Sequence, residues 1–274
     1  MQYNFDKIID RHNTGAYATE MLGEVHGRTD LTPMWVADMN FETPAFITDA
    51  LRNRLDHSLF GYTVIPKDFW PTVTDWIRNH HQWDVKAEWM RYIPGIVKGI
   101  GFVINVFCKE DEKVIIQPPV YHPFRLTPLG NKRQVVMNPM HRNDDGTYSM
   151  DFDNLAKVAD EKCRVLILAN PHNPAGIVWD VETLKRLAHF CCERNIIVIS
   201  DEIHCDMALF GNKHHPFANV SEEAARCSIT FGAPSKTFNI AGIVSSYCIV
   251  PNEDLRKPLF EWLAANELDQ PHIF

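Results

Sequence analysis

The second half of the chain constrains the fold most, because it alternates short apolar runs with a segment of helical periodicity. Two runs rich in β-branched residues, 163–171 (CRVLILANP) and 195–202 (NIIVISDE), flank a segment at 180–194 whose apolar residues recur at helical spacing. A helix between two such runs is typical of parallel strands that belong to one sheet. We therefore predict an α/β fold with a mostly parallel sheet sandwiched by helices, and Asp180 as the N-cap of the intervening helix.

Other segments extend this pattern along the chain. Further strands are predicted at 112–120, 227–235 and 245–250, and further helices at 43–55, at 67–81 and from Asn252 onward. The stretch 90–107 is predicted to start extended, to turn at Pro94-Gly95 and to continue as a buried helix.

Composition and charge argue against several classes of protein. The 274 residues carry a formal net charge of −8, with a pI near 5.9, and contain no basic stripe of the kind that binds nucleic acid. No apolar run is long enough to cross a bilayer, and the polar opening, MQYNFDKIIDRHN, differs from a secretory leader. We expect a cytoplasmic protein with a small-molecule substrate and with no nucleic-acid or membrane partner.

The cysteines and histidines show no metal-binding or disulfide pattern. The seven cysteines form an odd set without a CxxC pair, and several lie in apolar runs, so we predict that they are reduced and mostly buried. The pairs His80-His81 and His214-His215 lack the partner spacing of zinc ligands. We therefore predict no metal site and expect these histidines at the surface.

Polar side chains follow three of the predicted strands. Asn173, Asp201 and Lys236 come shortly after strand runs, and ligands of open α/β sheets bind at the carboxyl ends of the strands. An amide, a carboxylate and an amine suit the ring oxygen, the ring nitrogen and the aldehyde of pyridoxal phosphate. The segment 94–99 (PGIVKG) could hold its phosphate at a helix N-terminus. Taken singly, the same residues are equally explained as turn, cap or surface residues.

Six stretches of the sequence occur, in the same order, in one known family: MWVADMNF (34–41), FGYT (60–63), PPVYHPF (118–124), NPHNPAG (170–176), VISDEIHCD (198–206) and APSKTFNIAG (233–242). In these motifs the chain resembles the fold-type I pyridoxal-phosphate enzymes, the aspartate aminotransferase superfamily. It is most similar to the branch of cystathionine β-lyases and PatB/MalY-type aminotransferases. The resemblance covers nearly the whole chain and implies a seven-stranded sheet and pyridoxal 5′-phosphate as cofactor.

The resemblance also implies roles for individual residues. Lys236 would form a Schiff base with the cofactor and then act as the catalytic base, Asp201 would pair with the pyridinium nitrogen, and Tyr121 would stack on the ring. Further cofactor contacts are implied for Asn173, Gly95, Ile96, Val97, Ser235, His204 and Tyr62, and substrate contacts for Trp35 and Ala37. Because Tyr62 would reach the cofactor of a neighbouring subunit, the expected assembly is a homodimer with shared active sites.

The same resemblance implies a division into domains. Residues 1–48 would form an N-terminal arm and part of a small domain, and residues 49–274 a large cofactor-binding domain. The family's C-terminal small domain, with the arginine that binds the substrate's α-carboxylate, is expected to be missing from this sequence. Ala233 replaces a serine that is frequent in aminotransferases, and no GxxGxR motif follows Lys236, which favours the lyase branch.

Three functions follow as hypotheses. The first is a carbon–sulfur β-lyase that cleaves L-cystathionine or related cysteine S-conjugates to a thiol, pyruvate and ammonia. The second is an aminotransferase, which would use the same residues. The third is a catalytically silent cofactor-binding protein, because a missing carboxylate-binding arginine would cost orders of magnitude in rate.

Overall fold

The structure is a computed structural model that describes residues 3–270. In these residues it has ten α-helices: α1 Tyr17–Glu20, α2 Leu22–His26, α3 Ala45–Asp56, α4 Phe69–His81, α5 Ile96–Phe107, α6 Pro123–Gly130, α7 Phe152–Val158, α8 Val181–Glu193, α9 Glu222–Cys227 and α10 Glu253–Ala265. The same residues contain nine strands: β1 Met90–Ile93, β2 Lys113–Ile116, β3 Gln134–Met137, β4 His141–Arg142, β5 Tyr148–Ser149, β6 Cys163–Ala169, β7 Ile197–Asp201, β8 Ser228–Gly232 and β9 Ser246–Ile249.

Seven of the strands form one sheet, in the order β1-β9-β8-β7-β6-β2-β3, while β4 and β5 pair with each other. The strands from β8 to β3 are parallel to their neighbours, and β9 and β1 extend the sheet with antiparallel pairs. The prediction of an α/β fold with a mostly parallel, seven-stranded sheet is confirmed.

Hydrophobic cores lie on both faces of the sheet, because successive strand residues point to opposite sides. On one face, Ile167 and Ile199 pack in a cluster that includes the buried residues of α5 and α10. On the other face, Leu166 and Val198 pack with the buried residues of α8. All four side chains are fully buried, so the central strands are shielded from water on both sides.

The predicted elements are present, with strands shorter than the apolar runs. Helix α8 begins after Asp180, whose side chain accepts the N–H of Thr183 at 2.8 Å, as predicted. The strands β2, β6 and β8 each end two residues before a proline, at Pro118, Pro171 and Pro234. Proline has no backbone N–H to donate, so the ladder cannot continue through it.

Two kinds of element were not predicted from the sequence. The strand β3 lies at a sheet edge with partly exposed residues, so it lacks the long apolar run of the central strands. Helix α6 has a proline at its first position and another, Pro128, inside it. Because proline within a segment argues against a helix, α6 was not predicted. Helices α7 and α9 are too short to show a clear helical period.

The chain divides into two compact units. The first, which we call the lysine unit, consists of the residues up to Phe60 together with Ser235–Ile243. The second, the sheet unit, consists of Gly61–Pro234 and the chain from Val244 onward, and it contains the whole seven-stranded sheet. The assignment of 1–48 and 49–274 to a small and a large domain stays a prediction. In the described part of the chain, no helix has the length and apolar character needed to cross a membrane.

Candidate active site

Three parallel strands of the sheet unit bring their carboxyl ends into one row. Ala169, Asp201 and Phe231 pair in register across β6, β7 and β8. The ladder extends one residue further, where the N–H of Asn170 donates to Asp201 O at 2.9 Å and the N–H of Glu202 donates to Phe231 O at 2.9 Å. Asn170, which follows β6, and Asp201, which ends β7, therefore lie along one edge, which is where α/β sheets bind ligands.

Asp201 is the buried acid of this edge. Only 8% of the residue is exposed, and its Oδ1 accepts the N–H of Ile203 at 3.1 Å. Burial, and secondly the charge of Asp201, raise the pKa of the Tyr121 phenol. The N–H of Tyr121 donates in turn to Asn173 O at 3.1 Å. The structure thus brings together Asp201, Tyr121 and Asn173, three of the residues that the sequence analysis selected.

The start of helix α5 has the features of an anion-binding site. Gly95 precedes the helix with φ of +108°, a conformation that glycine adopts without the steric cost of a Cβ. The first N–H groups of a helix have no acceptor within the helix, and the helix dipole favours negative charge there. The buried side chain of Ile96 anchors this turn, whereas Val97 is 37% exposed, and N–H groups at such a helix start are typical partners of a phosphate.

A buried hydrogen-bond network around Glu202 was not predicted from the sequence. Glu202 is 4% exposed, and its Oε1 accepts from the N–H of Phe217 at 2.8 Å and from Ser200 Oγ at 2.8 Å. Its Oε2 lies 2.9 Å from His214 Nε2, and Asn170 Nδ2 donates to Oε1 at 3.4 Å. A buried carboxylate is stable only with such donors, and this one ties the ends of β6 and β7 to the chain around His214.

The expectation that His81 and His214 lie at the surface is wrong, because both are buried and each pairs with an acid. His81 Nε2 lies 2.9 Å from Asp206 Oδ1, and Trp76 Nε1 donates to both oxygens of Asp206 at 3.2 and 3.3 Å. Among the described residues, the possible ligand atoms of His81, Cys205 and Asp206 lie within 4.8 Å of one another. That the chain has no metal site stays a prediction.

In the lysine unit, the amine of the selected lysine is held by a backbone carbonyl. Lys236 Nζ donates to Ala37 O at 3.0 Å, which brings Lys236 together with a residue predicted on the substrate side. Asn239, at φ of +55°, accepts the N–H of Met39 at 3.0 Å and donates to Met39 O at 2.9 Å and Phe41 O at 3.3 Å. These hydrogen bonds connect the segment around Lys236 and Asn239 to the MWVADMNF motif.

Trp35 and Ser235 are also fixed by backbone contacts within the lysine unit. Trp35 Nε1 donates to Ala18 O at 2.9 Å, and Ser235 O accepts the N–H of Ile240 at 2.9 Å. In the sheet unit, His204 directly precedes a 3₁₀ turn, and the side chain of Tyr62 is fully exposed in an irregular segment before α4. The cofactor and substrate roles of these four residues stay predictions.

The lysine unit also contains a polar cavity of about 330 Å³. Its lining includes Asn239 and the ion pair of Arg11 with Asp38, in which Arg11 Nη2 lies 3.1 Å from Asp38 Oδ2. No role for Arg11 could be predicted from the sequence, because its acidic partner lies 27 residues further along the chain and only the fold brings the two together.

The chain is similar to known proteins of one family. The model of the family "Aminotransferase class I and II" matches residues 33–265. Cystathionine beta-lyase PatB of Bacillus subtilis (strain 168) is 42% identical over 272 residues, which are 99% of this chain and 70% of that protein. The crystal structure of cystalysin from Treponema denticola, which contains pyridoxal 5′-phosphate, matches with a TM-score of 0.92 at 32% identity over 99% of this chain and 69% of that one. The PLP-bound C-S lyase from Staphylococcus hominis matches with a TM-score of 0.88 at 36% identity over 99% and 68%.

Proposed function

Since this chain belongs to the class I and II aminotransferase family, we propose that it is a pyridoxal-phosphate-dependent carbon–sulfur β-lyase. Its substrate would be L-cystathionine or a related cysteine S-conjugate, and its products a thiol, pyruvate and ammonia. The observation that carries this proposal is the buried carboxylate of Asp201 at the carboxyl ends of three parallel strands, next to Tyr121. The similarity to a cystathionine β-lyase supports the type of reaction.

The residues present fit the chemistry of pyridoxal phosphate. Asp201 would pair with the ring nitrogen, Asn173 would donate to the ring oxygen, and Tyr121 would offer an aromatic face. The helix start at Gly95 would hold the phosphate through backbone N–H groups, and the amine of Lys236 would hold the aldehyde. When bound, the cofactor supplies an electron sink that stabilises negative charge on the substrate's α-carbon.

Lys236 would have two tasks in the reaction. Its Nζ would hold the cofactor before the substrate arrives, and the same amine would then accept the proton from the substrate's α-carbon as a general base. Ala37 O, which accepts a hydrogen bond from Nζ, would orient the amine for this transfer. Asp201, as an anion, would keep a proton on the ring nitrogen. Removal of the α-proton allows the sulfur to leave from the β-carbon as a thiolate.

We also propose that the enzyme is a homodimer of the cytoplasm. The fully exposed Tyr62 lies among further exposed apolar residues, Leu59, Phe60 and Val64, and a second subunit would cover such a segment. The free cysteines support a reducing compartment. Sedimentation velocity at several protein concentrations tests the assembly, and a monomer at the concentration of the enzyme assay would contradict it.

The reaction is tested with protein loaded with pyridoxal phosphate and supplied with L-cystathionine. We expect the absorbance of the bound cofactor to change on addition, and thiol and pyruvate to appear in equal amounts. The same assay with an added 2-keto acid identifies an aminotransferase, which would consume the keto acid in proportion to the amino acid and release no thiol. If the absorbance of the bound cofactor does not change when substrate is added, the protein binds the cofactor without catalysing the reaction. Either of these outcomes would contradict the proposal.

A further inference from the structure

Three cysteines lie close together where helices α8 and α9 end in the sheet unit. Cys191 and Cys192 lie in the last turn of α8, and Cys227 is the last residue of α9. Cys191 and Cys227 are buried, whereas Cys192 is half-buried at the margin of the same apolar cluster. Five of the seven cysteines are buried, so the prediction that they are mostly buried is confirmed, and their reduced state stays a prediction. The proposed lyase reaction uses none of them.

The sulfur of Cys192 is contacted by an arginine side chain. Arg226 donates from Nε and Nη2 to Cys192 Sγ, at 3.4 and 3.3 Å, and this contact raises the pKa of Arg226. A cation beside a sulfur stabilises the thiolate that forms when a thiol loses its proton. The thiolate is the form that peroxides oxidise.

Cys227 is placed to react with Cys192. Burial, followed by the neighbouring sulfurs of Cys191 and Cys192, raises the pKa of Cys227. Cys192 Sγ lies 3.4 Å from Glu223 O and Cys227 Sγ lies 3.9 Å from Ala224 O, so both sulfurs contact the same turn of α9. A half-buried sulfur beside a cation, with a second thiol in reach, is the arrangement of a peroxide-sensitive pair.

The four cysteines outside this cluster have environments that favour the unreactive thiol. Burial raises the pKa of Cys108 and of Cys163 to about 11 and that of Cys248 to about 12. Burial, and then the negative charges of Asp206 and Glu202, raise the pKa of Cys205. Oxidation should therefore begin at Cys192 even when every cysteine is present.

We propose that Cys192 is a site of reversible oxidation by hydroperoxides and that Cys227 is its resolving partner. The Cys192 thiolate attacks one oxygen of hydrogen peroxide, the O–O bond breaks, and the departing hydroxide takes up a proton, which leaves a sulfenic acid on Cys192. The Cys227 sulfur then attacks this sulfur, the S–O bond breaks, and a second water leaves. Two thiols lose two electrons and two protons in total, one peroxide becomes two waters, and a disulfide joins α8 to α9.

The pair is tested first on the unaltered protein, loaded with pyridoxal phosphate. The protein is treated with about one equivalent of hydrogen peroxide under native conditions, its remaining thiols are alkylated, and its peptides are mapped by mass spectrometry. We expect a Cys192–Cys227 disulfide as the first product, with the loss of two hydrogens, and its disappearance after dithiothreitol. Oxidation that begins at any other cysteine, or the absence of this disulfide, would overturn the proposal.

Variants test the roles of the partners. Cys227→Ser should stop at the sulfenic acid, so that dimedone labels Cys192, and Arg226→Gln should slow the oxidation of Cys192 about tenfold because it removes the cation. Arg194→Gln is the matched control, because it also removes one positive charge near the end of α8. The guanidinium carbon of Arg194 lies 4.0 Å from the centroid of the Phe190 ring. Equal slowing by the two arginine variants, or dimedone on a different cysteine, would contradict the assignment.

Discussion

The two compact units hold their selected residues by different means. In the sheet unit, Asp201 is placed by the register of three parallel strands and by the buried network of the neighbouring Glu202. In the lysine unit, Lys236 and Asn239 are placed by a few side-chain contacts to the backbone of an irregular segment. Many backbone hydrogen bonds maintain the register of a sheet, whereas a single substitution removes a side-chain hydrogen bond. Changes near Asp201 should therefore lower stability more than changes near Lys236 do.

The largest effect is expected from Lys236→Ala, which separates chemistry from stability most sharply. Loss of the amine should lower the rate of L-cystathionine cleavage by about a thousandfold or more, because the variant has neither nucleophile nor base. The free energy of unfolding in urea should change by less than about 0.5 kcal/mol, since the side chain is only partly buried. Lys213→Ala, an exposed lysine of the sheet unit, is the control. Undiminished cleavage in Lys236→Ala would refute the role of the lysine.

Glu202→Ala tests the opposite case, a residue whose loss should act first on stability. The variant leaves the N–H of Phe217, Ser200 Oγ and His214 Nε2 without their acceptor inside the protein. We expect the free energy of unfolding in urea to fall by about 3 kcal/mol.

The control for this prediction is an exposed carboxylate. Glu182 pairs with Lys185 at 3.1 Å on the surface of α8, and its side chain is 83% exposed. Glu182→Ala should cost less than about 0.5 kcal/mol, because water solvates both partners. If the two variants lose similar stability, the buried network does not hold the strand ends as we argue.

The pH dependence of stability should reveal another buried group of the strand ends. His172 is 4% exposed, and burial lowers its pKa from 6.5 to about 4, although a backbone contact with Gln117 opposes the shift. Between these two values the unfolded chain binds a proton that the native protein does not. Stability from this group is therefore complete above about pH 6.5 and falls as the pH drops towards 4, by about 3 kcal/mol in total.

Urea unfolding of the unaltered protein and of His172→Gln, between about pH 7.5 and 4, measures this loss. Carboxylates titrate in both proteins, so the informative quantity is the difference between the two stability curves. The variant should lose less stability on acidification, by about 1.4 kcal/mol per pH unit within the window. Parallel curves would show that His172 takes up its proton equally well in the native and unfolded states.

The central sheet could be predicted from the sequence because each central strand lies in an apolar run, and because β2, β6 and β8 are each followed closely by a proline. The helices α8 and α10 could be predicted because Asp180 and Asn252 cap them and both helices carry acidic residues in the first turn. The edge strand β3 and the proline-containing α6 escaped prediction, because their local sequences resemble loops. Regular structure was predictable where burial on both faces required it.

The site was predictable only where backbone order determines position. The carboxyl-end rule places Asp201 and Asn173 on one edge although 28 residues separate them in the chain, because their strands are parallel neighbours. No such rule could find the acceptor role of Glu202 or the contact of Arg226 with Cys192, which joins residues 34 positions apart. These contacts depend on side-chain packing between elements, and a single sequence carries no periodic signal for that.

The smallest effect is expected from Asn239, the counterpart of Glu202 in the lysine unit. Its side chain is half-buried and makes three contacts to Met39 and Phe41, and its backbone has φ of +55°. Asn239→Ala loses the contacts and also places a Cβ without a compensating hydrogen bond in the left-handed region, whereas Asn239→Gly loses the contacts alone. We expect losses of about 2 kcal/mol for alanine and about 1 kcal/mol for glycine in urea unfolding.

Both Asn239 variants should also slow L-cystathionine cleavage about threefold to tenfold, because the carbonyl that orients Lys236 Nζ belongs to the segment that Asn239 fastens. Asn212→Ala, which removes the bond of an exposed loop asparagine to Leu209 O, is the control and should change neither quantity. If glycine and alanine at position 239 slow cleavage equally, the hydrogen bonds position the lysine's surroundings and the backbone angle affects only stability. If neither slows it while Glu202→Ala does, positioning comes from the sheet unit alone, and the contrast between register and side-chain contacts is wrong.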